Sequence, residues 1–180
     1  MVLREFGDPD VFERTSAALE RGEITLNEEI RRQFAVVTEP IESVVSWLLE
    51  RVRIRRGFRE LAAEHRPLVV TVGFRELIGP ILAREDVELE LRSNSVEWTP
   101  LGWRPVFRSE EPCSVCGEPC KRSALPPGEI VYVGDGFSDR CAALAADRVF
   151  ARDGLARYLD SVGVAYEPFE DFRNVAAMLA

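Results

Sequence analysis

A chain of 180 residues, 46% of them apolar, has enough material for one compact core or a core with a small appendage. Its formal net charge of −8 excludes a general nucleic-acid binder, which needs a basic surface to displace counterions from phosphates. No run approaches the length of a membrane span, nothing at the amino terminus looks like a signal peptide, and the four cysteines read as reduced thiols in the cytoplasm.

Met1 to Phe6 reads as a helix, and helical patterning continues to about residue 65. Asp10 to Arg21 places Val11, Phe12, Ala17, Ala18 and Leu19 on roughly one face and stops at Gly22. Thr25 caps a second helix, with Glu28 three residues on as its capping-box partner. A third helix begins at Glu39, with Pro40 in its first turn and Ile41, Val44, Val45, Leu48 and Leu49 at helical spacing. A fourth spans about Phe58 to His65. From Pro67 the period changes. Leu68 to Val72 is a short buried strand ended by Gly73, and a helix follows through Leu77, Ile78 and Leu82. Val87 to Trp98 alternates as a half-exposed hairpin does, with Asn94 near its turn. Strand and helix then recur to the end, the grammar of a parallel α/β sheet.

The most informative stretch is Ile130-Val131-Tyr132-Val133-Gly134-Asp135-Gly136-Phe137-Ser138-Asp139. A buried strand breaks at Gly-Asp-Gly into a tight turn, with Ser138 as the cap of a following helix. Asp135 and Asp139 therefore sit at the carboxyl end of a buried strand, the edge where open α/β sheets bind ligands. Carboxylate oxygens there suit a hard cation such as magnesium, and the glycines let the backbone approach a metal or phosphate closely. The bland alternative is a strand–turn–helix junction with two solvated acids. Upstream, Cys113-x2-Cys116-x3-Cys120 groups three thiols within eight residues, and Cys141 is a candidate fourth ligand for zinc. Reduced, partly buried thiols are the competing reading.

The stretch from Ile130 to Asp139, continued through Arg140-Cys141-Ala142-Ala143 and Ala146 to Arg152, resembles the fourth signature motif of the haloacid-dehalogenase-like (HAD) phosphohydrolases. It looks most like the branch containing phosphoserine phosphatase and the methionine-salvage phosphatases, which also carry a cysteine-rich segment before a signature lysine. The resemblance implies an α/β fold, a Rossmannoid parallel sheet with an N-terminal helical cap over residues 1–56 and the core over 57–180. It implies a magnesium-dependent phosphomonoesterase acting on a small phosphorylated metabolite, with phosphoserine and a methylthiopentenyl phosphate both open as substrates. Asp135 and Asp139 would serve the metal. Thr71 and Lys121 take the catalytic positions, and Thr71, Gly73 and Lys121 the phosphate-binding ones. Neither nucleic acid nor membrane is an expected partner, and a homodimer is allowed. Charged cap residues such as Arg14, Arg21, Glu23 and Arg31 would face substrate or, singly, be solvated surface charges.

One signature is missing. The resembling enzymes attack phosphorus with the first Asp of a D-x-D-x-T motif that precedes the cap, and here Met1 to Phe6 already looks like the helix after it. Asp8-Pro9-Asp10 has the D-x-D spacing, but Phe12 stands in place of the Thr and Pro9 is unfit for a central strand. A helix N-terminus explains this segment better. Two expectations follow: a start placed downstream of the nucleophile strand, or a shortened relative that kept the fold as a non-catalytic binding or regulatory domain. Loss of a central strand would leave Leu68 to Val72 and Ile130 to Gly134 as sheet edges.

Overall fold

The computed structural model of the protein describes residues 1–179. Two compact units divide the chain, residues 1–52 with 71–111, and residues 53–70 with 112–179. The helices predicted before residue 52 thus fold together with the strands and helix of 71–111.

The first unit opens with α1 (Val2–Phe6) and α2 (Pro9–Glu20). Asp8 caps α2, its Oδ1 accepting the N–H groups of Asp10 at 2.8 Å and Val11 at 3.0 Å, and Pro9 fills the first turn, where a missing N–H costs nothing. The D-P-D triplet is therefore a helix start. Thr25 caps α3 (Leu26–Phe34) through the Glu28 N–H. The expected capping box is half formed, because the Glu28 carboxylate turns to Arg31 and Arg32, each at 2.6 Å. The third predicted helix is α4 (Ile41–Arg51); the fourth, α5 (Phe58–His65), belongs to the second unit.

Strand β1 (Val69–Phe74) runs on through Gly73 and leads into α6 (Arg75–Arg84). Strands β2 (Leu91–Thr99) and β3 (Gly102–Val106) pair antiparallel, Thr99 opposite Gly102, and the sheet order is β1-β2-β3. The hairpin turn therefore lies at Pro100 and Leu101, not near Asn94. Asn94 is buried within β2, where its side-chain amide donates to the Val72 carbonyl at 2.9 Å and accepts the Arg108 N–H at 3.0 Å. Ile30, Val37, Val44, Leu48, Phe74, Leu77, Val96 and Trp103 form this unit's core. Each such side chain contributes about 1.5–3 kcal/mol on burial. Trp103 also donates its indole N–H to the Glu39 carbonyl at 2.7 Å.

The second unit carries a parallel sheet, β4 (Val131–Gly134), β5 (Arg148–Ala151) and β6 (Glu167–Pro168), in that order. Around it lie α7 (Arg140–Ala143), α8 (Asp153–Val162) and α9 (Phe172–Leu179). Phe150, Ala151, Leu155, Leu159 and Val175 are wholly buried, as expected where a parallel strand is covered on both faces. Strands β1 and β4 are each the end strand of their own sheet. Among the described residues no helix is long and apolar enough to cross a membrane.

Candidate functional site

The second unit gathers a set of polar groups where β4 ends. Gly134 pairs with Ala151 in register, the Asp135 carbonyl accepts the Leu155 N–H at 3.0 Å, and residues Phe137–Asp139 make one 3-10 turn into α7. That turn folds the Asp139 side chain back under the loop. Its Oδ2 accepts the backbone N–H groups of Asp135 at 3.0 Å and Gly136 at 2.8 Å. Its Oδ1 accepts the Lys121 ammonium at 2.7 Å and the Tyr132 hydroxyl at 2.8 Å. Four donors on one carboxylate that is only 4% exposed leave it saturated and fixed.

Burial by itself would raise the Asp139 carboxyl pKa. The Lys121 charge and its hydrogen bond, with the Gly136 N–H and the Tyr132 hydroxyl, outweigh it and hold the group below its ordinary value. Burial first, and then the Asp139 charge, push the Tyr132 phenol up, so it stays a donor. The residue in this network without an evident sequence signal is Tyr132, since an aromatic in a strand reads as a good strand former.

Gly134 matters through space. A Cβ built there would lie 2.8 Å from the Asp139 Cγ and 3.0 Å from its Oδ2. Next to this packed group, Asp135 is exposed and its backbone alone is enlisted, the N–H by Asp139 and the carbonyl by Leu155. Ser138 is not a helix cap: it sits inside the 3-10 turn, and Asp139 occupies the capping position of α7.

Of the residues singled out from sequence, Lys121, Asp135 and Asp139 come together here. Thr71 and Gly73 belong to the first unit, where the Thr71 hydroxyl accepts the Gly73 N–H at 3.0 Å near the end of β1. That contact makes a local hydroxyl turn just before α6. A Cβ on Gly73 would meet the Ile78 side chain at 2.9 Å, so close helix–strand packing accounts for this glycine. Fully reduced, the four cysteines also converge in the second unit, with all four sulfurs within 4.8 Å of one another.

No family model matches the chain. The 2-hydroxy-3-keto-5-methylthiopentenyl-1-phosphate phosphatase of Bacillus cereus strain B4264 is 25% identical over 191 aligned positions, covering 99% of this chain and 87% of that protein. The enzyme of the same description from Bacillus thuringiensis strain Al Hakam is likewise 25% identical over the same share of each chain. Among solved structures, phosphoserine phosphatase from T. onnurineus in complex with NDSB-201 superposes with a TM-score of 0.66 over 94% of this chain and 80% of that one. At 16% identity this last likeness speaks for the fold: mixed α/β, of the HAD Rossmann-like phosphoserine phosphatase type. Sequence and fold together make the chain a relative of the HAD phosphatases, in the phosphoserine-phosphatase-like branch that includes the methylthiopentenyl-phosphate phosphatases.

Proposed function

We propose that the chain contributes the metal- and phosphate-binding part of a magnesium-dependent phosphomonoesterase for a small phosphorylated metabolite. The observation that carries this reading is the Asp139 carboxylate, locked by four donors at the carboxyl end of β4, with Lys121 held beside it and Asp135 left exposed. A hard-oxygen donor in that position fits magnesium, and Asp135 is the residue that would hold it. Asp139 has no unused oxygen among its hydrogen bonds, so its part is to fix the loop and orient Lys121. When bound, the metal supplies positive charge against the phosphoryl oxygens.

The chain's own residues do the remainder. Lys121 brings a largely covered ammonium whose charge offsets that of a phosphoryl group, and its side chain is only 12% exposed, which weakens solvent screening. The Lys121 charge, helped by the Gly136 N–H and the Tyr132 hydroxyl, keeps Asp139 ionised, and the Asp139 charge in turn keeps Lys121 in place. Thr71 and Gly73 retain the phosphate-binding assignment that the resemblance implies, and residues 1–56 the substrate-selecting one. A methylthiopentenyl phosphate is the favoured substrate class, on the strength of the relatives that match the chain over nearly its full length.

Residues 1–180 contain no D-x-D-x-T pattern, and Asp8 is spent on capping α2. A metal and an ammonium stabilise charge but do not replace an in-line nucleophile. On this reading Lys121, Asp135 and Asp139 bind, and turnover needs an in-line nucleophile that they do not include. The assay is magnesium-dependent phosphate release from an aryl phosphate. The 180-residue chain is expected to be silent, and the same chain joined to an upstream D-x-D-x-T strand active. Turnover by the 180 residues that Asp8→Asn abolishes would contradict the reading.

A further inference from the structure

Residues 107–130 connect β3 to β4, and the second unit's part of them, 112–130, has one short 3-10 turn, Lys121–Ala124, as its regular structure. Ordered connections of that length are uncommon without something to hold them. What the structure places there is sulfur. The four cysteines of the chain, three from this loop and Cys141 from α7, bring their Sγ atoms within 4.8 Å of one another, with Cys113 and Cys141 at 3.9 Å. A disulfide requires about 2.05 Å, so these are separate thiols. Tetrahedral zinc with Zn–S bonds of about 2.3 Å puts its sulfurs about 3.8 Å apart, the spacing this cluster approaches.

The backbone is shaped for the same purpose. Cys113-Ser114-Val115-Cys116-Gly117 closes a tight turn in which the Gly117 N–H donates to the Cys113 carbonyl at 2.8 Å. Gly117 has φ of +74°, which a side chain would strain, and with that reversal the chain brings both sulfurs to the cluster. The Val115 N–H points at the Cys113 sulfur at 3.5 Å, a contact that strengthens when the sulfur carries negative charge. Lys121 and Arg122 follow Cys120, and Arg140 precedes Cys141, so basic residues flank a centre whose tetrathiolate form carries two net negative charges.

The geometry points to a structural zinc site made by Cys113, Cys116, Cys120 and Cys141. On binding, each thiol releases its proton to solvent and the metal takes four thiolates, with no change of oxidation state. All four positions are filled by protein, so the site is closed and does not itself take substrate. Its place in the chain gives it a purpose. Cys120 immediately precedes Lys121 and Cys141 lies two residues beyond Asp139, so one ion staples together the segments that present the Lys121–Asp139 pair. The zinc positions the phosphate-site lysine, and its existence does not depend on the phosphatase reading.

The test is metal content and cobalt spectroscopy on the full chain, purified under reducing conditions without chelator. The expected result is about one zinc per chain, retained on dialysis. Cobalt added to the metal-free chain should give the thiolate charge-transfer and tetrahedral ligand-field bands at equal stoichiometry. Cys116 is exposed, so Cys116→Ser keeps the fold and should weaken zinc by more than about 100-fold, beyond what loss of an outer-shell partner costs. Asp135→Asn should leave the zinc untouched, which separates this site from the magnesium site. The proposal is overturned by a chain that binds neither metal while all four thiols react equally with and without zinc. A Cys113–Cys116 disulfide as the stable form, or stoichiometric iron in place of zinc, overturns it too.

Discussion

Gly134 and Gly136 flank the same aspartate, yet the structure gives them unequal parts. A Cβ at Gly134 would collide with the Asp139 carboxyl at 2.8 Å, whereas at Gly136 the Asp139 oxygen is 3.8 Å away, an ordinary contact. Gly136 has φ of −131°, open to any residue. Gly134→Ala should therefore destabilise the second unit by about 1–3 kcal/mol, the usual range for overpacking, and displace the group that holds Lys121. Gly136→Ala should stay within about 0.5 kcal/mol. Denaturant unfolding of both variants decides it, and equal effects would mean that Asp139 is not held as described. From sequence the two glycines look alike, because a G-D-G turn announces a close approach without saying which glycine makes it or to what. Asp135 and Asp139 stand out together because one long motif carries them, whereas Lys121 lies outside that motif and is read only through the resemblance. Tyr132 does not stand out, since a tyrosine in a strand needs no function to explain it.

At the scale of elements, period and punctuation placed the helices well and the hairpin poorly. The Asp8 and Thr25 caps work through local hydrogen bonds, and local pattern reveals them. Asn94 misleads for the opposite reason: its amide serves long-range partners, the Val72 carbonyl and the Arg108 N–H, which no short window contains. The true turn rests on Gly102. With φ of +137°, and with its missing Cβ only 1.8 Å from where the Ala35 carbonyl oxygen sits, Gly102 lets β3 start against the end of α3. Gly102→Ala would need both a strained backbone and a shift of α3 away from Trp103. We expect a loss of about 3 kcal/mol or more, and thermal unfolding of the variant measures it. A wild-type melting temperature would show that α3 and β3 do not pack as described.

At the scale of the molecule, the acidic charge, the α/β grammar and the HAD relationship were readable in the residues, because each is spread over many positions. The division into two units was not, since it groups residues 1–52 with 71–111 across a segment that belongs to the other unit. Strands β1 and β4 each end the sheet of their own unit. On the proposed reading, Asp135 holds magnesium and Lys121 binds phosphate in the second unit. Calorimetric titration of magnesium and inorganic phosphate into the 180-residue chain tests it most directly. Wild type should bind phosphate in a magnesium-dependent way, Asp135→Asn should lose magnesium, and Lys121→Ala should lose phosphate while remaining folded. Phosphate binding indifferent to magnesium, or magnesium binding unchanged in Asp135→Asn, would contradict it.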